Sequence, residues 1–141
     1  MSNRVIVEEA PDVLDPNALL AKLPTDTCGA IVSFIGITRG FDNGKQVYSL
    51  EFDAWQSKLN PTLQRLGEEA IEKFGIEYEA LAHRTGSVGP AEPIVAIHVS
   101  SKHRKEAFQA CSWLIDELKA QAPIWKKEVR EDGEEWKAGL G

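Results

Sequence analysis

Apolar residues recur along this chain at two periods, and the switches between them mark out its elements. Arg4 to Glu9 alternates and is rich in Val and Ile, the pattern of a half-buried strand. Asp15 before Pro16 joins a capping residue to the helical position that tolerates proline, which predicts a short helix through Lys22. The β-branched run from Gly29 to Ile37 predicts a buried strand. The polar stretch from Arg39 to Gln46 holds Asn43-Gly44, a turn signal, and reads as a mobile hairpin loop. Val47 to Ala54 alternates again and should pair with the strand before it.

The period then lengthens. Leu59, Leu63, Leu66, Ala70 and Phe74 recur at spacings of three and four, an amphipathic helix capped by Ser57 and ended by Gly75. Pro61 is tolerable there because it falls in the first turn. Ile76 to Arg84 predicts a strand, Gly86 to Pro90 a turn, and Ile94 to Ser100 another strand. Ser101 should cap a long helix that buries Ala107, Phe108, Cys111, Ile115 and Leu118 until Pro123 stops it. Ile124 to Arg130 and Glu135 to Lys137 flank Asp132-Gly133, a type I′ hairpin signal. With no repeat, low-complexity segment or linker, residues 1–141 are expected to form one mixed α+β domain with mainly antiparallel sheets.

Composition narrows the class. The 141 residues are 43% hydrophobic and 27% charged, a soluble globular balance. A chain of this length can bury roughly two-thirds of its unfolded surface. No run reaches the ~18–20 apolar residues of a membrane span, and the N-terminal run lacks an apolar signal region, so a cytoplasmic protein is expected. Cys28 and Cys111 lie among apolar neighbours without zinc-like spacing and read as reduced core residues. There is no Ser/His/Asp set, metal-ligand cluster, Walker loop or dinucleotide fingerprint.

Charge changes the picture most. The net charge is −6, yet cations concentrate in Lys119-Ala-Gln-Ala-Pro-Ile-Trp-Lys126-Lys127 and in Lys102-His103-Arg104-Lys105. A basic cluster on an acidic protein suits a small anionic ligand, whereas nucleic acid would be repelled by the remaining surface. His103 and Arg104 open the long helix, where cations oppose the dipole unless an anion is bound, and arginine adds a bidentate fork. A lysine among apolar neighbours such as Ala122, Ile124 and Trp125 is open to a pKa lowered by desolvation, which makes a usable acid or base. Arg39 follows Phe34-Ile-Gly36 at the mouth of a loop and alone reads as a surface arginine. The four tryptophans read as core or interface aromatics, and His83 and His98 as satisfied strand histidines.

Taken jointly, four stretches resemble the large, catalytic subunit of molybdopterin synthase. They are Gly29-Ala-Ile-Val-Ser-Phe-Ile-Gly-Ile-Thr-Arg39, His83-Arg-Thr-Gly-Ser-Val88, Ser101-Lys-His-Arg104 with Ala107-Phe108, and Leu118-Lys-Ala-Gln-Ala-Pro-Ile-Trp-Lys-Lys127. The resemblance implies an α/β-hammerhead fold with an additional antiparallel β-sheet. It implies a sulfurtransferase that converts cyclic pyranopterin monophosphate to molybdopterin, installing two dithiolene sulfurs. The sulfur would arrive as a thiocarboxylate on the Gly-Gly C-terminus of a small ubiquitin-like carrier subunit. Two large subunits would form a homodimer at the centre of a heterotetramer.

By the same resemblance, Lys119 and Lys126 are the reactive-centre lysines. Arg39, His103 and Arg104 bind anions, Phe34 lines the pocket, and neither a metal nor an organic cofactor is required. Members of the family often carry a further arginine in a longer C-terminal tail; here Lys137 is the cation in that region. A non-catalytic adaptor for the same carrier, or a phosphate sensor, would need neither lysine for chemistry. His103 and Lys119 sit at opposite ends of one helix, about 24 Å apart at 1.5 Å per residue. One small ligand cannot meet both within one chain, so the site is expected to be shared across a symmetric dimer.

Overall fold

A computed structural model describes residues 3–137. Strand β1 (Val5–Ala10) leads through helix α1 (Pro16–Leu20) to β2 (Ala30–Ile37), then to the hairpin of β3 (Phe41–Asp42) and β4 (Lys45–Ala54). Helix α2 (Gln56–Phe74) is followed by β5 (Tyr78–Arg84), β6 (Gly86–Val88) and β7 (Pro93–Ser101). Helix α3 (Arg104–Gln121) precedes the closing strands β8 (Ile124–Arg130) and β9 (Gly133–Lys137). Asp15 caps α1 as its sequence predicts, its Oδ1 accepting from the amides of Asn17 at 3.0 Å and Ala18 at 3.1 Å.

The strands form two sheets. The first runs β1-β5-β7-β2, parallel between β1 and β5 and antiparallel elsewhere. Its central strands are covered on both faces, which explains their nearly continuous apolar runs. On one face, Leu63 and Leu66 of α2 and Leu114 and Leu118 of α3 share a core with Leu81, Ile97 and Val99. On the other, Leu14, Leu19 and Leu23 pack on Ala80, Ala82 and Ala96, whose small side chains let α1 sit close. The second sheet, β3-β4-β8-β9 with β6 also on β4, is wholly antiparallel. The architecture is therefore mixed α+β, with the extra antiparallel sheet that the resemblance implies.

The chain passes between the sheets at residues 84–86. The buried Arg84 guanidinium donates to the Ala10 carbonyl at 3.1 Å and the Ser87 carbonyl at 2.8 Å. The Thr85 amide reaches the same Ala10 oxygen at 3.1 Å. Gly86 adopts φ 83°, and a Cβ there would lie 3.1 Å from the Pro11 oxygen, so glycine alone makes the crossing without strain.

Several sequence expectations are corrected. Strand β2 pairs with β7, not with the β4 strand that follows it; β4 pairs with β8 instead. Nor is β2 buried: it is a sheet edge, with Ile31, Ile35 and Ile37 on an open face. An unbroken apolar run fits a strand covered on both faces, but the chain's own elements cover only one. Ser101 ends β7 and is buried, so the N-cap position of α3 falls to His103, without a side-chain cap bond. Ser57 lies inside α2, whose cap position is Trp55. Phe108 is 62% exposed, because one helical step rotates it away from the buried Ala107. Cys28 is only half-buried, while Cys111 is buried with its thiol pushed up to about 11. The 86–90 turn contains β6. Both Asn43 (φ 52°) and Gly44 (φ 76°) take the type I′ conformation, whereas at Asp132-Gly133 only the glycine has positive φ.

One buried group has no place in this packing. Both carboxyl oxygens of Glu79 on β5 are buried without hydrogen-bond partners. Gly67 of α2 leaves room for them; a Cβ there would lie 3.2 Å from Glu79 Oε2 and 2.5 Å from Val5 Cγ1. Burial, reinforced by Glu68, pushes the carboxyl up to about 9 against 4.5 ordinarily. The folded protein thus holds a proton that the unfolded chain releases, and stability falls as pH rises from 4.5 towards 9. The cost at pH 7 is about 3 kcal/mol. Urea unfolding at pH 5 and pH 8 should show Glu79→Gln gaining on the native chain by roughly 3–4 kcal/mol across that interval. An equal difference at both pH values would mean that Glu79 is ionised in the folded state.

Candidate functional site

Strand β8 carries the centre of the site. Its alternation turns Ile124, Lys126 and Glu128 to one side and Trp125 and Lys127 to the other. Register with β4 sets Phe52 opposite Lys126 and Leu50 opposite Glu128. These residues line a cavity of about 460 Å³ walled by both sheets and α3. Phe34 enters it from β2, His83 from the end of β5, and Lys119 from the last turn of α3. Arg39 and Asp42 come from the segment leading into the β3–β4 hairpin. Lys127 faces away, lying over the Trp136 ring at 5.7 Å and 3.6 Å from Glu134.

Electrostatics set Lys126 apart. Burial holds its pKa below the ordinary lysine value, Glu128 opposes the shift, and Lys119, Arg39 and Lys137 reinforce it. Glu128, itself buried, is raised by desolvation and by a hydrogen bond to Asp42. Asp42 moves the opposite way, held down first by Lys137 and then by that bond. Lys137 Nζ lies 3.3 Å from Asp42 and 3.8 Å from Glu128, and Arg130 lies 3.4 Å from Glu128. The acidic side of the cavity is therefore already occupied by cations of β8 and β9. Arg39, with its side chain 77% exposed, has only a 4.0 Å approach to Asp42 and remains available to an anion.

Of the sequence-selected residues, Phe34, Arg39, Lys119 and Lys126 share this cavity. His103 and Arg104 do not: they lie exposed at the opposite end of α3, as helix length requires. Lys102 beside them approaches Glu77 at 3.8 Å. Sequence reasoning missed His83, Asp42 and Glu128 as cavity residues. Glu128 was reachable, since in a strand the residue two beyond Lys126 shares its side. Asp42 and His83 were not: Asp42 depends on the pairing of β4 with the distant β8, and only the meeting of two sheets brings in His83. His98, by contrast, is the satisfied histidine expected, with Ser33 Oγ at 2.6 Å and the Pro16 carbonyl at 2.9 Å. Among the described residues no three His, Cys, Asp or Glu side chains form a metal site, and no helix is long and apolar enough to cross a membrane.

Known proteins resemble this chain in sequence and in fold. A family model described as MoaE protein matches residues 9–121. A molybdopterin synthase catalytic subunit from Pyrococcus abyssi is 33% identical over 137 residues, covering 97% of this chain and 93% of that protein. The crystal structure of molybdopterin synthase from Staphylococcus aureus superposes with a TM-score of 0.88 at 31% identity, over 93% of this chain and 96% of that one. A complex of subunits 1 and 2 of molybdopterin-converting factor from Helicobacter pylori gives a TM-score of 0.74 at 25% identity, covering 92% and 88%.

The charge arrangement has a direct test. Titration of labelled lysines followed by NMR should find Lys126 below 10.5. Lys119→Ala removes a neighbouring cation and should raise the Lys126 value; Glu128→Gln removes a counter-charge and should lower it further. A Lys126 value unmoved by either change would mean that these charges do not share its environment.

Proposed function

The chain belongs to the MoaE family, the molybdopterin synthase catalytic subunits, and on that premise we propose that it is a cytoplasmic sulfurtransferase acting at the β8 cavity. Its substrate is cyclic pyranopterin monophosphate, and its sulfur donor is the C-terminal Gly-Gly thiocarboxylate of a small ubiquitin-like carrier. The observation that carries this reading is the pairing of a partly desolvated Lys126 with Lys119 and Arg39 in one cavity. A phosphate needs fixed cations, which Arg39 supplies at the mouth. Transfer of sulfur from an acyl carrier builds negative charge on oxygen and sulfur, which a lysine neutralises or protonates. Lys126 suits the proton transfer because its lowered pKa brings it closer to the working pH. A Gly-Gly tail suits a narrow entrance because glycine carries no side chain to obstruct it.

The homodimer belongs to the same proposal. The open β2 face carries Ile31, Ile35 and Ile37, and the last two also line the cavity. A second copy covering that strip would stand at the cavity mouth. His103 and Arg104 of the mate would then complete the anion site that Lys119 and Lys126 begin.

The purified chain mixed with thiocarboxylated carrier and the cyclic pterin should yield dithiolene product. Lys119→Ala and Lys126→Ala should each fold normally and lower the single-turnover rate at least ~100-fold. Near-native turnover by either variant would remove that lysine from the chemistry and favour an adaptor role. The shared site has its own readout. Inactive Lys119→Ala chains mixed with inactive Arg104→Ala chains should regain activity, since some mixed dimers hold one intact site. Proven subunit exchange without recovery would sink the composite arrangement.

A further inference from the structure

The reaction above leaves one cavity residue without a role. His83 Nδ1 lies 2.7 Å from the Arg84 carbonyl oxygen. A carbonyl can only accept, so Nδ1 carries the proton, and in a neutral ring Nε2 then offers a lone pair. The ring is neutral at physiological pH, its pKa pushed down to about 4 by burial, with Lys126 adding to the shift. Phe52 meets it edge-on, 5.2 Å between centroids, which fixes its plane. Although only 3% of the residue is exposed, Nε2 is not among the sealed, unpartnered atoms and receives no hydrogen bond from any described residue. What remains open of the ring faces the cavity that it lines.

The rest of the cavity explains why such an acceptor matters. Arg39, Lys119 and Lys126 are donors suited to phosphate and carboxylate oxygens. Asp42 and Glu128 are acceptors, but Lys137 and Arg130 engage them. A pterin ring presents N–H groups as well as a phosphate, and these need an acceptor that is not already taken. Resting on the pterin phosphate substrate proposed above, we propose that His83 Nε2 is that acceptor. It orients the pterin ring by taking a hydrogen bond from one of its N–H groups, and His83 is thus a specificity-determining residue of the cavity.

Two substitutions separate this from a purely structural histidine. In His83→Asn the side-chain amide reaches the Nδ1 position and keeps the bond to the Arg84 carbonyl, but nothing occupies the place of Nε2. In His83→Gln the amide oxygen reaches the Nε2 position and the inner bond is lost. Calorimetric binding of cyclic pyranopterin monophosphate to the full chain should weaken about tenfold in His83→Asn, the loss of one hydrogen bond. His83→Gln should bind within about threefold of the native chain, and inorganic phosphate should bind all three alike. Native pterin affinity in His83→Asn, or an equal loss of phosphate and pterin binding there, overturns the proposal. If the native chain binds no pterin, the substrate reading fails and this assignment falls with it. If the native chain binds and His83→Asn is unaffected, the assignment alone is wrong.

Discussion

The buried guanidinium of Arg84 fixes the relation between the two sheets, and the cavity exists because of that relation. A charge taken out of water must be resolvated by the protein, and no carboxylate within ion-pair distance does so among the described residues. Backbone carbonyls do it instead, from the end of β1 and from β6. These oxygens belong to segments far apart in sequence, so the single side chain ties the first sheet's edge to the second sheet's short strand. Ala10 accepts twice, from Arg84 and from Thr85, using both lone pairs of one carbonyl. The turn thereby held delivers His83 against Phe52, so that a ring of the first sheet meets one of the second in the cavity lining.

Within the cavity, the chain sorts its charges by strand. Carboxylates of the hairpin and β8 are neutralised by cations of β8 and β9, while Lys119, Lys126 and the exposed Arg39 line the same cavity. A protein with a net charge of −6 can therefore present a locally cationic site. The acidic surroundings disfavour long polyanions while a compact anion still gains from the near charges.

Much of the fold was legible because most of its elements obey one dominant period. The Leu59–Phe74 spacing, the Asp15-Pro16 start and the Asn43-Gly44 turn each express local chemistry, and each appears where expected. Phe34, Arg39, Lys119 and Lys126 were also found in sequence, and the cavity gathers them. Strand partners were not legible. The β2 run says that its residues are apolar, but not that β7 rather than β4 lies beside it, nor that one face stays open. Caps failed where tertiary packing overrode local preference: Ser101 was drawn into β7, and Trp55 took the start of α2 by donating its amide to the Pro123 carbonyl at 3.0 Å. Glu128 was within reach of β8 alternation, but Asp42 needed the pairing of β4 with β8, and His83 the meeting of the sheets, which no short window of sequence contains.

The double duty of β8 sets how this gene can vary in length. One strand supplies Lys126 and Glu128 to the interior and Trp125 and Lys127 to the exterior, with nothing but alternation separating the two sets. A substitution at either set leaves the other where it was. An insertion or deletion of one codon between Pro123 and Lys126 would exchange them wholesale, sending the lysine of the site outward and a tryptophan inward. Length changes at the Asn43-Gly44 tip, which lies outside any such alternation, would carry no comparable penalty. Drift in this lineage should accordingly accumulate as substitutions along β8 and as indels at the hairpin tips.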